Sequence, residues 1–259
     1  MLAMLAAGTA VALTGCATAE GEPVEAGAAG GEIPAPPPAE PGLAPPPGGP
    51  RSIISPGTIT ALPGPGRSMA LTVDDGANPE VVAAYIQWAE DTGARFTFFV
   101  TGAFEAWTIH RDALRPLVDS GQIQLGNHTW DHAALTGIGS TAVADQLGRT
   151  KTFLRNNFGV DGTPFYRPPF GYHNAAVDKV AADLGYTVPT MWYGSLSDSG
   201  LITEEYLIEC ARKYFAAQTI IIGHANFAPV THCYGQLVDI INERNLSLVT
   251  LNDVLQVAP

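Results

Sequence analysis

The sequence predicts one α/β domain on a parallel sheet, closed as a barrel or left open. Three observations predict it. From Ser68 onward, short apolar runs alternate with helix-like stretches, the rhythm of parallel strands joined by crossover helices. The 259-residue chain is 46% apolar and 15% charged, a globular balance that can build a sizeable core. Asp74, Asp75, His128, Arg167, Asp198 and His224 each fall at or just beyond the C-terminal end of an expected strand. That edge is where sites assemble in barrels and in open α/β sheets alike.

Taken in order, Met69 to Val73 reads as the first strand. Pro79 opens a helix through Thr92, and Gly93 stops it. Arg95 to Val100, rich in Phe, Thr and Val, is the next strand. A helix from Trp107 to Asp119 is closed by Gly121, and a short strand follows at Ile123 to Leu125. Ser140 to Asn156 is helical, and Phe165 to Arg167 leads into a Pro-rich turn. A helix over Asn174 to Leu184 is capped by Gly185 and precedes a strand from Tyr186 to Trp192. Thr203 to Ala216 is a helix, Thr219 to Gly223 a buried strand, Cys233 to Glu243 a helix and Ser247 to Leu251 the last strand. There is no internal repeat.

The first fifth reads differently. Residues Met1 to Thr14 are apolar or small and end in Leu13-Thr14-Gly15-Cys16, the pattern of a bacterial lipoprotein signal, although no Lys or Arg precedes the run. The run is too short for a permanent membrane span. Residues 1–16 are therefore expected to be a signal peptide, with Cys16 lipidated and the protein exported, held at the membrane and facing the cell wall or periplasm. From Ala17 to Pro50 half the residues are Pro or Gly, too little apolar surface to fold, so residues 17–66 are expected to be a disordered tether and residues 67–259 the domain. Extended at about 3.1 Å per residue, the Pro/Gly stretch would reach on the order of 100 Å. A net charge of -12 argues against nucleic acid, whose phosphates would repel it. A monomer is expected. Outside the cytoplasm, Cys210 and Cys233 could pair as a disulfide or remain two buried thiols.

Four clusters carry chemistry. In Thr72-Val73-Asp74-Asp75-Gly76, two adjacent carboxylates would repel unless a cation sits beside them. Neighbouring strand residues face opposite ways, so a turn at Gly76 is needed for both to reach one site. One could then ligate a metal while the other acts as a base; the alternative is a solvated Asp-Gly turn. In His128-Thr129-Trp130-Asp131-His132, two imidazoles four residues apart on one side of a helical turn could hold one ion, a weak signal until an Asp from another strand end joins them. Imidazole and carboxylate suit zinc, with cobalt, nickel or iron as alternatives. In Tyr166-Arg167-Pro168-Pro169-Phe170-Gly171, the prolines stiffen a turn behind which Arg167 could pair with a carboxylate or simply meet water. After Ile220-Ile221-Ile222-Gly223, His224 is either a structural residue or a general acid whose imidazolium Asp198 supports.

In this order, TVDDG, HTWDH, RPPFG and IIIGH resemble the motifs of the polysaccharide deacetylases (the NodB-homology domain, carbohydrate esterase family 4), over roughly Met69 to Leu255. The resemblance implies a distorted (β/α) barrel, typically of seven strands, and a hydrolase using one divalent metal. Asp75, His128 and His132 would bind the metal, and Asp74 would deprotonate the attacking water. Arg167 would orient Asp74, the backbone N–H of Phe170 would help stabilise the oxyanion, and His224 would protonate the leaving amine with Asp198 behind it. The substrate implied is an N-acetylated polysaccharide, with peptidoglycan N-acetylglucosamine favoured over chitooligosaccharides because the expected anchor and tether lie beside a wall.

The chain departs from the family pattern twice. Phe170 stands where the third motif usually has Tyr, and Ser199 follows Asp198 where a Trp usually walls the acetyl pocket. Trp192 or Trp130 could compensate. The second departure keeps open an O-acetyl esterase acting on xylan or another glycan. A non-catalytic wall-binding domain is the third reading, and it predicts missing catalytic groups. Of the other histidines, His110 and His232 read as ordinary, and His173 could line the groove.

Overall fold

The computed structural model describes residues 42–258, so Cys16 lies outside the described residues. Ten strands occur in chain order: β1 (Ser52–Ile54), β2 (Ser68–Asp75), β3 (Phe96–Val100), β4 (Ile123–Asn127), β5 (Phe165–Tyr166), β6 (Val188–Pro189), β7 (Gly194–Ser195), β8 (Thr219–His224), β9 (Ser247–Leu248) and β10 (Leu255–Val257). The helices are α1 (Pro79–Thr92), α2 (Ala106–Ile109), α3 (Arg111–Asp119), α4 (Ser140–Phe158), α5 (Ala175–Asp183), α6 (Glu204–Tyr214), α7 (Tyr234–Glu243) and α8 (Leu251–Val254). No described helix is long and apolar enough to cross a membrane.

The main sheet runs β6-β5-β4-β3-β2-β8-β7, with β9 added beside the start of β2, and its pairings are parallel. The two ends of this path, β6 and β7, are joined in the chain by residues 190–193, which brings the sheet edges toward each other. The result is a seven-stranded half-barrel wrapped by helices, the distorted (β/α) barrel that the sequence motifs implied. Every residue of β2, β3 and β4 is buried, as expected for strands covered on both faces.

Alternation along the strands builds two cores. Leu71 and Val73 of β2, with Phe96, Phe98 and Leu125, pack outward against α1, α3 and α7. Ala70, Phe99, Phe165, Val188 and Ile220 point inward. Leu62, Leu251 and Leu255 fill the same inner cluster near the strand starts, away from the rim where the polar residues gather.

Helix limits follow local chemistry. The Asn78 side chain accepts the Glu80 N–H, Pro79 occupies the first turn, and Gly93 ends α1 in the left-handed region at φ 74°. The helix expected over Trp107 to Asp119 is two helices broken at His110, whose φ of -100° and ψ of 13° leave the helical region. The strand expected over Tyr186 to Trp192 shrinks to Val188–Pro189: the Thr190 N–H still donates to the Tyr166 carbonyl, but the Met191 N–H turns away from β5 to Ile59. The last strand stops at Leu248: a capping box between Thr250 and Asp253 starts α8 instead.

Two further expectations need correction. The tether expected over residues 17–66 does not run to residue 66. The Leu43 N–H donates to Thr92, β1 pairs with β10, and Ile59 and Ala61 bridge to Thr190 and Thr219 across the gap between the sheet ends. Apolar Ile54, Ile59 and Leu62, interspersed with prolines and glycines, give this stretch something to bury. The disulfide is absent as well. Cys210 and Cys233 are free, buried thiols: Cys210 Sγ lies 3.4 Å from Ser197 Oγ, and Cys233 Sγ lies 3.3 Å from the Pro229 carbonyl.

Candidate active site

The carboxylates at the end of β2 meet one site by a route other than the one expected. Thr72 and Asp74 share the inward face, and Asp75 would by alternation point outward. The chain turns at Asp75 itself, whose φ of 74° swings its side chain back to the rim, and Gly76 continues the turn at φ 87°. The Trp107 indole N–H holds the Asp75 carbonyl at 3.0 Å, and its ring lies where a Cβ on Gly76 would sit.

Arg167 occupies the barrel interior, fully buried between the rings of Phe99 and Trp192. Its Nη1 donates to Asp74 Oδ1 at 2.6 Å and to Thr72 Oγ1 at 2.8 Å, while Nε and Nη2 donate to the carbonyls of Thr190 and Met191. A guanidinium with this many acceptors stays charged in a dry interior, and it keeps the Asp74 carboxylate in one orientation.

His128 follows β4, and its Nδ1 lies 2.7 Å from the Arg167 carbonyl. A carbonyl only accepts, so Nδ1 carries the proton and Nε2 turns toward Asp75 Oδ1 at 3.3 Å. His132 reaches the same oxygen, Nε2 to Oδ1 at 3.3 Å. The segment between them is not the helical turn expected from four-residue spacing. Thr129 and His132 sit at φ 71° and 64°, and side chains brace the loop: Asn127 Oδ1 accepts the Thr129 N–H, Thr129 Oγ1 accepts the His132 N–H, and Gln146 Oε1 accepts those of Trp130 and Asp131.

Asp75, His128 and His132 each offer a ligand atom to one point, all within 4.8 Å of one another. A cation fits this set. Asp75 Oδ1 is buried without a hydrogen-bond partner while two imidazole nitrogens converge on it. Burial alone would raise the Asp75 carboxyl, but the imidazoles of His128 and His132 beside it and the Asn226 hydrogen bond outweigh it and hold the group below the usual carboxylate range. Burial, together with the charge of His128, lowers the His132 imidazole, whereas burial of His128 is outweighed by Asp74 and Asp75, which raise it; one shared cation satisfies all three groups.

Across a cleft of about 560 Å³, His224 at the end of β8 faces these residues. Asp198 Oδ1 lies 2.9 Å from His224 Nδ1, and Oδ2 accepts the His224 backbone N–H at 3.1 Å. Burial disfavours the imidazolium, but the Asp198 hydrogen bond and the charge of Asp74 hold His224 above its ordinary value. Phe170 lies at φ 61° on the opposite lip, its ring 4.7 Å from that of His132. Gly171 and Tyr172 donate their N–H groups within the turn, and Pro168 and Pro169 have none, which leaves the Phe170 N–H as the turn's donor.

Ser195 and Ser199 line the cleft together with Trp192. Trp130 does not reach it: Arg149 covers its face at 4.3 Å. His173 pairs with Asp178 at 2.9 Å, and His232 with Glu204 at 2.7 Å. Reading the sequence missed Asn226, which donates to Asp75 Oδ2 at 2.7 Å, and Trp107 beneath Asp75. Neither belongs to a motif; the one signal for Asn226 is its place just past His224, beyond a strand end.

Comparison with known proteins agrees with this arrangement. The chain is 32% identical over 122 residues to chitin deacetylase 1 of Cryptococcus neoformans, covering 47% of this chain and 25% of that protein. It spans 25% to 52% of the length of the chitin deacetylases it matches. It is 24% identical over 194 residues to a peptidoglycan-N-acetylglucosamine deacetylase of Bacillus cereus, covering 73% of this chain and 88% of that one. In fold it resembles the crystal structure of the Bc1960 peptidoglycan N-acetylglucosamine deacetylase, with a TM-score of 0.70, 18% identity, and coverage of 78% of this chain and 94% of that one. Residues 61–189 match the polysaccharide deacetylase family, and the half-barrel and its polar rim agree with that match: this chain carries a polysaccharide deacetylase domain.

Proposed function

We propose that the protein hydrolyses acetyl groups from the amino sugars of a polysaccharide, releasing acetate and leaving free amines. One observation carries the reading. A three-ligand cation site, an Arg-held carboxylate and an Asp-held imidazole line the same cleft.

Asp75, His128 and His132 would hold a divalent cation, zinc being the best match to one carboxylate and two imidazoles, with cobalt, nickel or iron as alternatives. When bound, it supplies Lewis-acid polarisation of the acetyl carbonyl and makes water more acidic. Arg167 occupies Asp74 Oδ1, so Oδ2 takes the proton of the attacking water. The Phe170 N–H donates to the oxygen that gains charge as water adds to the carbonyl carbon. Asp198 holds His224 at Nδ1, and Nε2 gives its proton to the amine as the C–N bond breaks.

The favoured substrate is peptidoglycan N-acetylglucosamine, with chitooligosaccharides next. This preference is supported by the lipoprotein-type Leu13-Thr14-Gly15-Cys16 pattern, which would hold the protein outside the cytoplasm beside the wall. A second reading, an O-acetyl ester on xylan or another glycan, is favoured by Ser199, a small residue lining the cleft.

Acetate release from N-acetylglucosamine oligomers, peptidoglycan and acetylated xylan separates the two. Release from the first two is expected with zinc or cobalt, should stop on chelation, and should fall about a hundredfold or more in Asp74→Asn. No acetate from any of the three with added metal would sink the proposal.

A further inference from the structure

We propose that Asn226 is a positioning residue of the cation site: its carboxamide holds Asp75 so that one carboxylate oxygen, Oδ1, faces His128 and His132. The inference rests on reading those three side chains as cation ligands.

Asn226 Nδ2 donates to Asp75 Oδ2 at 2.7 Å, and Asn226 Oδ1 accepts the Ala77 N–H at 3.2 Å. The second bond fixes which end of the amide points where. A backbone N–H can only donate, so the amide oxygen faces Ala77 and the NH₂ faces the carboxylate. Asp75 needs such a hold. It sits at φ 74° beyond the regular part of β2, and the bonds that fix its backbone, from Trp107 Nε1 and the Thr101 N–H, reach its carbonyl and not its carboxylate. The hydrogen bond that does reach the carboxylate is the one from Asn226 to Oδ2.

The supporting loop is itself fixed. β8 runs beside β2 with His224 opposite Asp74, the Ala225 N–H donates to the Asp74 carbonyl, and the Asn78 N–H donates to the Ala225 carbonyl. Asn226 thus reaches Asp75 from a backbone pinned on both sides, on the same strand end that carries His224. Residue type matters here. Alanine would free Oδ2 to turn toward the ion or to water, and an unheld carboxylate must be ordered when the ion binds. A neutral donor stabilises Oδ2 without adding charge that competes with the ion.

The test is zinc affinity of the full chain and its Asn226→Ala variant, measured by competition with a chromophoric chelator, with the metal-free unfolding midpoint taken alongside. Phe227→Ala, one residue further on, is the local control. Asn226→Ala should bind zinc about 10- to 100-fold more weakly, with the metal-free midpoint near that of the parent and Phe227→Ala unchanged. Raising the zinc concentration should restore occupancy in the variant. Affinity within about threefold of the parent, whether or not the midpoint falls, overturns the positioning role. A parent that takes up no zinc, cobalt or nickel removes the cation site itself, and the proposed function with it.

Discussion

At the scale of residues, the chemistry depends on how each titrating group is held. Asp198 illustrates this. It is buried, it contacts both the side chain and the backbone N–H of His224, and it helps keep that imidazole above its ordinary value. As the proposed general acid, His224 must be protonated, so activity should persist below the raised value and be lost as pH climbs through it. In Asp198→Asn the opposing charge is gone and the imidazole drops back. The alkaline limb of kcat/KM should therefore move toward lower pH. An unmoved limb with lowered activity would mean that Asp198 is only structural. Arg167 shows the other use of burial: its guanidinium is satisfied by two side chains and two carbonyls, so it remains a cation beside Asp74.

At the scale of elements, the decisive feature is the turn ending β2. Gly76 lies at φ 87°, and an added Cβ would come 2.2 Å from Trp107 Cζ2. Trp107 is fully buried and anchors the Asp75 carbonyl, so it has nowhere to retreat. Gly76→Ala combines left-handed strain with overpacking and should destabilise the fold by about 3 kcal/mol, read from urea unfolding. Zinc affinity should fall with it, since Asp75 rides on the same turn. A change below about 1 kcal/mol would show that the turn relaxes easily. The loop after β4 is built the same way, from two positive-φ residues braced by Asn127, Thr129 and Gln146.

For the whole molecule, the segment ahead of β2 belongs to the domain. Ile59 and Ala61 bridge the ends of the sheet, Leu62 enters the inner cluster, and β1 pairs with β10. A chain lacking residues 1–62 should be less stable than one lacking residues 1–41 by about 3 kcal/mol or more, the order expected for removing Ile54, Ile59 and Leu62 from the inner cluster and exposing the apolar surface they cover. Equal urea midpoints for the two truncations would show that the seam contributes nothing.

The order and spacing of TVDDG, HTWDH, RPPFG and IIIGH, each after an apolar run, determined the α/β class and placed the polar residues on one rim. Strand periodicity and helix signals such as Pro79 and Gly93 are local properties, so they could be read along the chain. Tertiary structure decided the rest. A positive φ at Asp75, Thr129 and His132 is imposed by partners distant in sequence, Trp107 and Gln146 among them, and no local rule predicts it for a non-glycine residue. Asn226 gains its place from the pairing of β8 with β2, and residues 52–62 gain theirs from the gap they fill. The Pro/Gly content of Ala17 to Pro50 carried the expected tether on over that stretch, because composition measures only what a segment can bury alone, and here the apolar surface that covers it comes from the rest of the barrel.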